Sequence, residues 1–373
     1  MTILINDHLG HSGGLWHYTQ NMIKSLEPLR GNIILCSGDD DGRYARESIL
    51  HPIYAESSNK SRKNFSRLAY FLFALFNLIL ICMKNRPKVS VTNVFHFSAP
   101  EIIMVFVLYV LSKRLCVTIH DLEDLHLKKS RLWRFLFFKL LGSRPTVYLL
   151  THSMEVKNEI INNTGIPCNF FPHLDFMANA PDEEILAASL KTANVDFLMF
   201  GRMKKSKGHW DFLEALINLD KEGINYKAII AGKFDFDDYL EFKEKSSDLV
   251  KSGKLELIND FVNDDDLIDL ILRSRWVVLP YQNIYSSGVL LRSIQFLRPQ
   301  IHTSLGGFLD VTEGHEVSLK FDVGDSSEFF LQMQKALEVN VLSYHYSVSK
   351  LKNKLVNSNN IELFPCLLQI FKF

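Results

Sequence analysis

The feature that most constrains the fold of this chain is a regular alternation of short apolar runs with stretches of helix length. The runs of the first half are TILIND, GNIILCS, KVSVTN, LCVTIHD and TVYLLTHS. After Pro172 a second series follows, with VDFLMFG, YKAIIAG, LELIND, WVVLPY and QIHTS. Strands that alternate with helices form parallel sheets covered by helices. The pattern therefore predicts an α/β protein with two Rossmann-like units.

Chain length and the start of the second series give the predicted domain limits. The 373 residues exceed what one hydrophobic core usually serves. We expect an N-terminal domain over residues 1–175, a C-terminal domain over residues 176–350, and a final helix over residues 351–373 that packs back onto the body. Doubly wound sheets bind ligands beyond the carboxyl ends of their strands, so we expect the two domains to face a central cleft.

Charge is distributed unevenly along the chain. The totals are equal, with 42 Lys and Arg and 42 Asp and Glu, but residues 57–145 hold 15 basic and 4 acidic residues. Such a region predicts an anionic partner, either a membrane surface or nucleic acid. The sequence lacks a nucleic-acid-binding motif. Arg131–Lys139 forms a basic, aromatic helix pattern beside the basic stretch Lys60–Arg67, which favours an anionic membrane.

One apolar segment needs separate treatment, because Leu68–Met83 is 16 residues long and uncharged. A membrane span needs about 20 apolar residues. This run is shorter, lies between Arg67 and Lys84, and is interrupted by Asn77, so we expect a buried or interfacial helix. The N-terminus has no signal-peptide pattern and the five cysteines form no CxxC pair. These observations predict a cytoplasmic protein that is peripheral on the inner face of the cell membrane.

Three strand-to-helix junctions carry residues suited to phosphate. Gly13 and Gly14 follow the first apolar run, the basic segment Arg202–Lys207 follows VDFLMF, and Ser287 and Gly288 follow WVVLPY. Glycines let a backbone approach a ligand, and helix N-termini offer N–H groups to an anion. Cations add charge-assisted hydrogen bonds of about 1.5–3 kcal/mol each. Singly, the junctions also fit a tight turn, a solvated loop and a capped helix, but their recurrence favours phosphate binding.

The order of the motifs GG, HD, GRMKKSKG, IIAG, VVLPY and SSG resembles that of the GT-B glycosyltransferases of group 1 type, which include glycogen synthase-like and phosphatidylinositol mannosyltransferase-like enzymes. The resemblance covers almost the whole chain and is specific over residues 195–311. It implies the GT-B fold, a UDP- or GDP-linked sugar donor held mainly by the second domain, and an acceptor held mainly by the first. It implies no cofactor besides this co-substrate.

The resemblance assigns donor contacts to the second domain. Arg202 and Lys207 match the family's Arg and Lys that hold the donor diphosphate. Ser287, Gly288 and Val289 fall where backbone amides at a helix start meet the distal phosphate and the sugar. We expect no metal, because these cations supply the positive charge and no DxD-type pair ends a strand of the donor domain.

In the first domain the resemblance covers two places. Gly13 and Gly14 match a loop that approaches the donor phosphates, and His120 matches a histidine that contacts the transferred sugar. Asp121 follows His120 and is either a helix cap or a base that takes the acceptor proton in an inverting enzyme. A retaining enzyme would need no such base, so the stereochemical course stays open.

The chain departs from the family pattern at two positions. Tyr285 and Ser293 stand where the family commonly has glutamates that contact the donor sugar and the ribose. The departure leaves the donor open. The resemblance implies transfer to a lipid-linked saccharide in bacterial surface-polysaccharide synthesis, of the capsule or O-antigen kind. The alternatives are a GT-B-shaped sugar-nucleotide epimerase or hydrolase, and a non-catalytic relative that binds sugar nucleotide.

Overall fold

The computed structural model divides the chain into two compact units. Unit 1 consists of Met1–Asp175 with Val356–Phe373, and unit 2 of Phe176–Leu355. The structure describes residues 2–8, 15–26, 32–38, 48–52, 54, 64–95, 97–120, 131–170, 173 and 180–358.

Unit 1 contains a seven-stranded parallel sheet. Its strands are β1 (Thr2–Asn6), β2 (Asn32–Ser37), β3 (Ser48–Pro52), β4 (Val89–Val94), β5 (Arg114–Ile119), β6 (Val147–Thr151) and β7 (Cys168–Phe170), in the order β3-β2-β1-β4-β5-β6-β7. Its helices are α1 (Leu15–Leu26), α2 (Asn64–Asn85), α3 (Ala99–Leu111), α4 (Arg131–Gly142) and α5 (Met154–Thr164). The central strands are buried on both faces, which explains their continuous apolar runs.

Unit 2 contains a six-stranded parallel sheet. Its strands are β8 (Val195–Phe200), β9 (Ala228–Ala231), β10 (Leu255–Ile258), β11 (Ser274–Leu279), β12 (Gln300–Thr303) and β13 (Ser318–Phe321), in the order β10-β9-β8-β11-β12-β13. Its helices are α6 (Glu183–Thr192), α7 (His209–Lys221), α8 (Tyr239–Lys245), α9 (Ser247–Lys251), α10 (Asp264–Leu272), α11 (Gly288–Gln295), α12 (Gly306–Thr312), α13 (Ser326–Glu338) and α14 (Leu342–Ser358). The predicted two Rossmann-like α/β units are confirmed.

The sequence pattern missed three strands, and all three lie at sheet edges. Each of the ten predicted runs contains a strand, but β3, β7 and β13 were not expected. An edge strand has a neighbouring strand on one side only, so its residues need not form a continuous apolar run. The β3 sequence even ends in Pro52, which an edge strand tolerates.

The last helix begins earlier than predicted. The expected helix over residues 351–373 overlaps α14, which starts at Leu342 and ends at Ser358; the prediction for residues 359–373 lies outside the described residues. The reason is an apolar stripe at helical spacing, because Tyr344, Val348, Leu351 and Leu355 pack into one core cluster of unit 2.

The apolar segment Leu68–Met83 lies within α2, and much of it is exposed. Phe73 and Phe76 are 61% and 60% exposed. Among the described helices, α2 is the one long and apolar enough to cross a membrane. Only 17% of its segment Leu68–Asn85 is buried. A fully buried helix is therefore wrong, whereas the interfacial alternative agrees with the exposure.

Candidate functional site

The predicted donor residues lie at the switch point of the unit 2 sheet. Strand order reverses between β8 and β11, which are adjacent and parallel. The segment Gly201–Gly208 follows β8, and Pro280–Ser287 follows β11. Open α/β sheets bind their ligands beyond the carboxyl ends of the strands at this point. The topology alone therefore brings the two predicted phosphate segments to one edge.

Backbone contacts hold these two segments together. Lys205–Lys207 form one 3-10 turn that ends at Gly208, whose φ is 68°. A Cβ on Gly208 would lie 1.8 Å from the carbonyl oxygen of Pro280, so only glycine allows this approach. The N–H of Gln282 also donates to the carbonyl of Ser206 at 2.9 Å. The basic turn is thus fixed against the start of the second segment.

Arg202 forms an exposed ion pair. Its Nε and Nη2 donate to Oδ2 of Asp235 at 2.9 and 2.5 Å, and the two side chains are 61% and 43% exposed. An exposed pair contributes only about 0–1 kcal/mol. A diphosphate can therefore compete for the guanidinium at little cost, while Asp235 holds Arg202 in place before a ligand binds.

Lys207 is oriented by an aromatic ring. Its Nζ lies 3.6 Å from the ring centroid of Tyr281, the second residue after β11. Tyr281 is buried, and burial raises the pKa of its phenol well above the usual value, so the ring is neutral. The cation–π contact fixes the ammonium at the carboxyl end of β11.

The N-terminus of α11 lies beside the basic segment. Ser287 is its N-cap, and its Oγ accepts from the N–H of Leu290 at 3.2 Å. Gly288 and Val289 are the first helical residues, and the first N–H groups of a helix have no partner inside it. A Cβ on Gly201 would lie 3.4 Å from Cγ2 of Val289, so the two loops are neighbours. The helix start and the segment that carries Arg202 can serve one anion.

The two positions where the family has glutamates are both buried. Ser293 is fully buried within α11, and its Oγ donates to the carbonyl of Leu290 at 2.7 Å. Tyr285 is also buried. The Ser293 hydroxyl therefore bonds within its own helix, and a donor ribose would need another hydrogen-bond partner.

His120 directly follows β5 in unit 1 and is buried. Its ring stacks on Phe95, with centroids 4.2 Å apart and planes at 17°. Its Nε2 lies 3.2 Å from Oδ1 of Asn93. With that amide oxygen accepting, the proton is assigned to Nε2 and Nδ1 keeps a lone pair.

The environment of His120 holds its imidazole neutral. Burial lowers its pKa well below the usual value, and the neighbouring His152, His173 and His8 lower it further. A base with so low a pKa accepts a proton poorly near neutral pH. His120 is therefore suited to hydrogen-bonding a sugar rather than to removing an acceptor proton.

Two further histidines, which sequence reasoning missed, surround His120. Ring centroids of His152 and His173 lie 4.9 and 5.9 Å from that of His120, and Tyr18 contacts all three rings. One ring nitrogen from each histidine lies within 4.8 Å of the others, so this group could hold a metal ion. The available signal was the position of His152 at the end of TVYLLTHS, the same strand-end position that singled out His120.

The switch point of unit 1 holds a buried carboxylate, also missed from the sequence. Glu101 accepts from the backbone N–H groups of Phe95 and Ser98, both at 2.9 Å, and its Oε1 lies 3.3 Å from Nε2 of His8. Burial alone raises the pKa of Glu101, but these hydrogen bonds outweigh it and lower the pKa to about 2. The carboxylate fixes the loop after β4, which carries the ring stacked on His120.

Three predicted site residues lie outside the described part of the chain. They are Gly13, Gly14 and Asp121. The predicted roles of the glycine loop and of a strand-end carboxylate base therefore stay predictions.

Comparison with known proteins supports the assignment of unit 2. Residues 194–338 match the family model "Glycosyl transferases group 1". This match covers the switch point between β8 and β11 together with the predicted donor residues of unit 2, but not Gly13 and Gly14. No curated protein sequence matches the chain at a significant level. Residues 194–338 of unit 2 are thus similar to the glycosyl transferases of group 1.

Solved structures resemble the whole chain in fold. A glycosyltransferase from Rickettsia africae is 17% identical with a TM-score of 0.69, and the match covers 100% of this chain and 97% of that one. Anabaena HepE in complex with UDP-glucose is 15% identical with a TM-score of 0.68, covering 99% and 98%. The catalytic domain of starch synthase IV from Arabidopsis thaliana, bound to ADP and acarbose, is 11% identical with a TM-score of 0.72, covering 100% and 99%.

These likenesses fix the class of fold. The matches extend over both units, and the predicted GT-B fold is confirmed. At such low identity they speak for the fold alone. The chain therefore has the GT-B fold, and part of its second unit is similar to the glycosyl transferases of group 1.

Proposed function

We propose that this protein is a Leloir-type, metal-independent glycosyltransferase. It moves a sugar, such as a hexose, from a UDP- or GDP-linked donor to a lipid-linked saccharide acceptor in bacterial surface-polysaccharide synthesis, of the capsule or O-antigen kind. The group 1 domain and the GT-B fold support the use of a nucleotide sugar. HepE with UDP-glucose and starch synthase IV with ADP show that proteins of this fold bind nucleotides.

One observation carries the proposal. Arg202 and Lys207 lie with the N-terminus of α11 at the switch point between β8 and β11. A leaving nucleoside diphosphate gains negative charge as the glycosidic bond breaks. Preorganised cations and helix amides stabilise such charge more in the transition state than in the ground state. The donor diphosphate therefore binds here, and no metal is required.

His120 is assigned to the transferred sugar. It is neutral and held by Phe95 and Asn93, so it can exchange hydrogen bonds with sugar hydroxyls without bringing a charge. Its low basicity argues against a role as general base. Asp121 is proposed as a catalytic base only if the enzyme inverts, and retention would leave it as a helix cap.

A lipid-linked acceptor agrees with the surface of unit 1. The basic excess of residues 57–145 attracts anionic lipids. We therefore place the protein in the cytoplasm, peripheral on the inner face of the cell membrane. Nucleic acid is not proposed as a partner.

The test is nucleotide release from a donor panel. The purified chain is incubated with UDP- and GDP-linked hexoses, with and without alkyl glycosides that carry long alkyl chains. Release of nucleotide that depends on the acceptor, together with a glycosylated product, supports the transferase. Equal release without an acceptor would indicate a hydrolase, and an isomerised donor an epimerase. Donor binding without turnover would indicate a non-catalytic relative.

A matched pair of variants links the activity to the site. Lys207→Ala removes the cation that Tyr281 orients, whereas Lys205→Ala removes an exposed cation of the same turn. We expect loss of release in the first variant and near-normal release in the second. Equal nucleotide release by the two variants would show that the activity does not depend on this loop.

A further inference from the structure

An uncovered apolar surface lies on unit 1, and we name it the α2–α3 face. Its members are outward-facing and exposed: Leu68, Leu72, Phe73, Phe76, Leu80 and Met83 on α2, and Ile103, Phe106 and Val110 on α3. The two helices pack against each other, so their outer faces adjoin. Soluble proteins normally place polar residues on the outer face of a surface helix. A continuous apolar face of this extent indicates an interaction site.

The opposite side of α2 fixes the direction of any insertion. Ala74, Leu78, Ile81 and Cys82 are buried in unit 1. A transmembrane orientation would expose these residues to lipid and separate α2 from the rest of unit 1. The helix has 22 residues and is about 33 Å long, so it can lie along a surface while its inner face stays packed.

The polar groups of α2 suit a lipid environment. Asn77, in the middle of the helix, donates from Nδ2 to the carbonyl of Phe73 at 2.8 Å. Asn85 donates in the same way to the carbonyl of Ile81 at 2.9 Å. One N–H of each amide is thus bonded within the helix, which lowers the cost of leaving water.

The charges around the α2–α3 face select the occupant. Lys84, Arg86 and Lys88 follow each other at the end of α2, and Lys113 follows α3; all four are exposed. The sequence of α2 has no acidic residue, and Glu101 of α3 is buried. A second copy docked on this face, in either direction, would therefore offer no carboxylate of α2 to pair with these cations. An anionic bilayer complements both the apolar face and its cationic end.

We infer that the α2–α3 face inserts into an anionic bilayer, with α2 lying in the plane of the interface. The protein is then held by apolar contact and not by charge alone, so salt releases only part of it. The inference specifies how the protein binds the membrane of the proposed function, and it rests on that function for the choice of a membrane as partner. Its test is binding, so that loss of binding and loss of transfer are seen separately.

The experiment is sedimentation of the full chain with vesicles. Phosphatidylcholine vesicles with and without phosphatidylglycerol are compared at low salt and at about 1 M salt, where the Debye length is about 3 Å. We expect binding to the anionic vesicles that persists in part at high salt. The double variant Phe73→Glu/Phe76→Glu should lower the bound fraction at high salt by about tenfold or more.

Two controls make the outcome specific. The matched double variant Leu240→Glu/Leu331→Glu changes exposed apolar residues of unit 2 and should bind like the wild type. Thermal melting confirms that both double variants fold, as expected for exposed positions. Lys84→Gln/Lys113→Gln should weaken binding at low salt only.

Three results would overturn the inference. They are no vesicle binding by the wild type, complete release at high salt, and a dimer in solution that Phe73→Glu/Phe76→Glu dissociates. The last would assign the α2–α3 face to a second copy. Nucleotide release without vesicles is measured in parallel, so an inactive protein that still binds vesicles would refute only the proposed function.

Discussion

The strand ends of the two units use opposite chemistry. In unit 2 the switch point presents exposed cations, with Arg202 paired only to an exposed carboxylate. In unit 1 the strand end after β5 presents a buried neutral imidazole, His120, packed among Phe95, His152 and Tyr18. The same sheet topology therefore presents solvent-exposed cations in one unit and packed, buried rings in the other.

Under the proposed function, the difference follows from the group that each site would bind. A diphosphate carries its charge before and after reaction, so long cationic side chains with weak surface partners can bind it and release it. A sugar is neutral, and its position must be fixed within a few tenths of an ångström for transfer. Packed rings with defined hydrogen bonds meet that need, because their rotamers are locked by their neighbours.

The largest effect is expected from removing the cations of unit 2. Arg202→Ala and Lys207→Ala should each lower kcat/KM by about 10² or more, because each removes charge that stabilises the leaving diphosphate. Steady-state kinetics on purified protein measure the effect, with Lys205→Ala as control. The control should stay within about twofold, since Lys205 belongs to the same turn but is not among the residues assigned to the diphosphate.

Near-normal kinetics of both Arg202→Ala and Lys207→Ala, in variants shown to fold by thermal melting, would contradict the diphosphate assignment. The difference between the two units would then not explain donor binding.

These cations could be predicted from the sequence because they lie in one short segment after a clear apolar run. The histidine cluster could not, because His120, His152 and His173 follow three different strands and one of those strands, β7, was missed. Likewise, the composition of α2 shows that it is apolar but not which faces are covered. Exposure of Phe73 depends on what packs around the helix, and that is a property of the fold.

A smaller effect is expected for His120→Ala. The substitution should lower kcat by about tenfold or more and leave the affinity for the nucleoside diphosphate nearly unchanged, because Arg202 and Lys207 hold that group. Single-turnover kinetics and calorimetry with UDP or GDP separate the two quantities. A loss of thermal stability with unchanged kcat would reduce His120 to a packing residue.

Asp121→Asn, tested beside it, addresses the stereochemical course. A loss as large as that of His120→Ala would favour a base and inversion, whereas a small loss would favour retention. Unchanged kcat in both variants would place the catalytic centre elsewhere.

The buried state of His120 also predicts a modest pH effect on stability. Its folded pKa lies well below the unfolded value of about 6.5, so below that pH the unfolded chain binds a proton that the folded chain does not. The contribution of His120 to the free energy of unfolding is therefore fully present above about pH 6.5. It falls as the pH decreases, by up to about 1.4 kcal/mol per pH unit.

Chemical denaturation between about pH 7.5 and pH 5 measures this slope. His120→Gln keeps a hydrogen-bond donor but does not titrate, so the stability gap between wild type and variant should narrow as the pH falls. His302 in unit 2, whose pKa burial lowers to about 4, titrates in both proteins and cancels. A constant gap would show that His120 is not held neutral by the fold.

The smallest effect is expected from chelators. The nitrogens of His120, His152 and His173 are close enough to hold a metal ion, yet the proposed chemistry assigns the charge of the leaving group to Arg202 and Lys207. Dialysis against EDTA should therefore leave the rate within about twofold of its starting value. Suppose instead that EDTA removes activity, and that Zn²⁺ restores it in the wild type but not in His152→Ala. That result would show that a bound metal takes part in the reaction. The histidines would then act through a bound cation, and the strand ends of unit 1 would carry charge like those of unit 2.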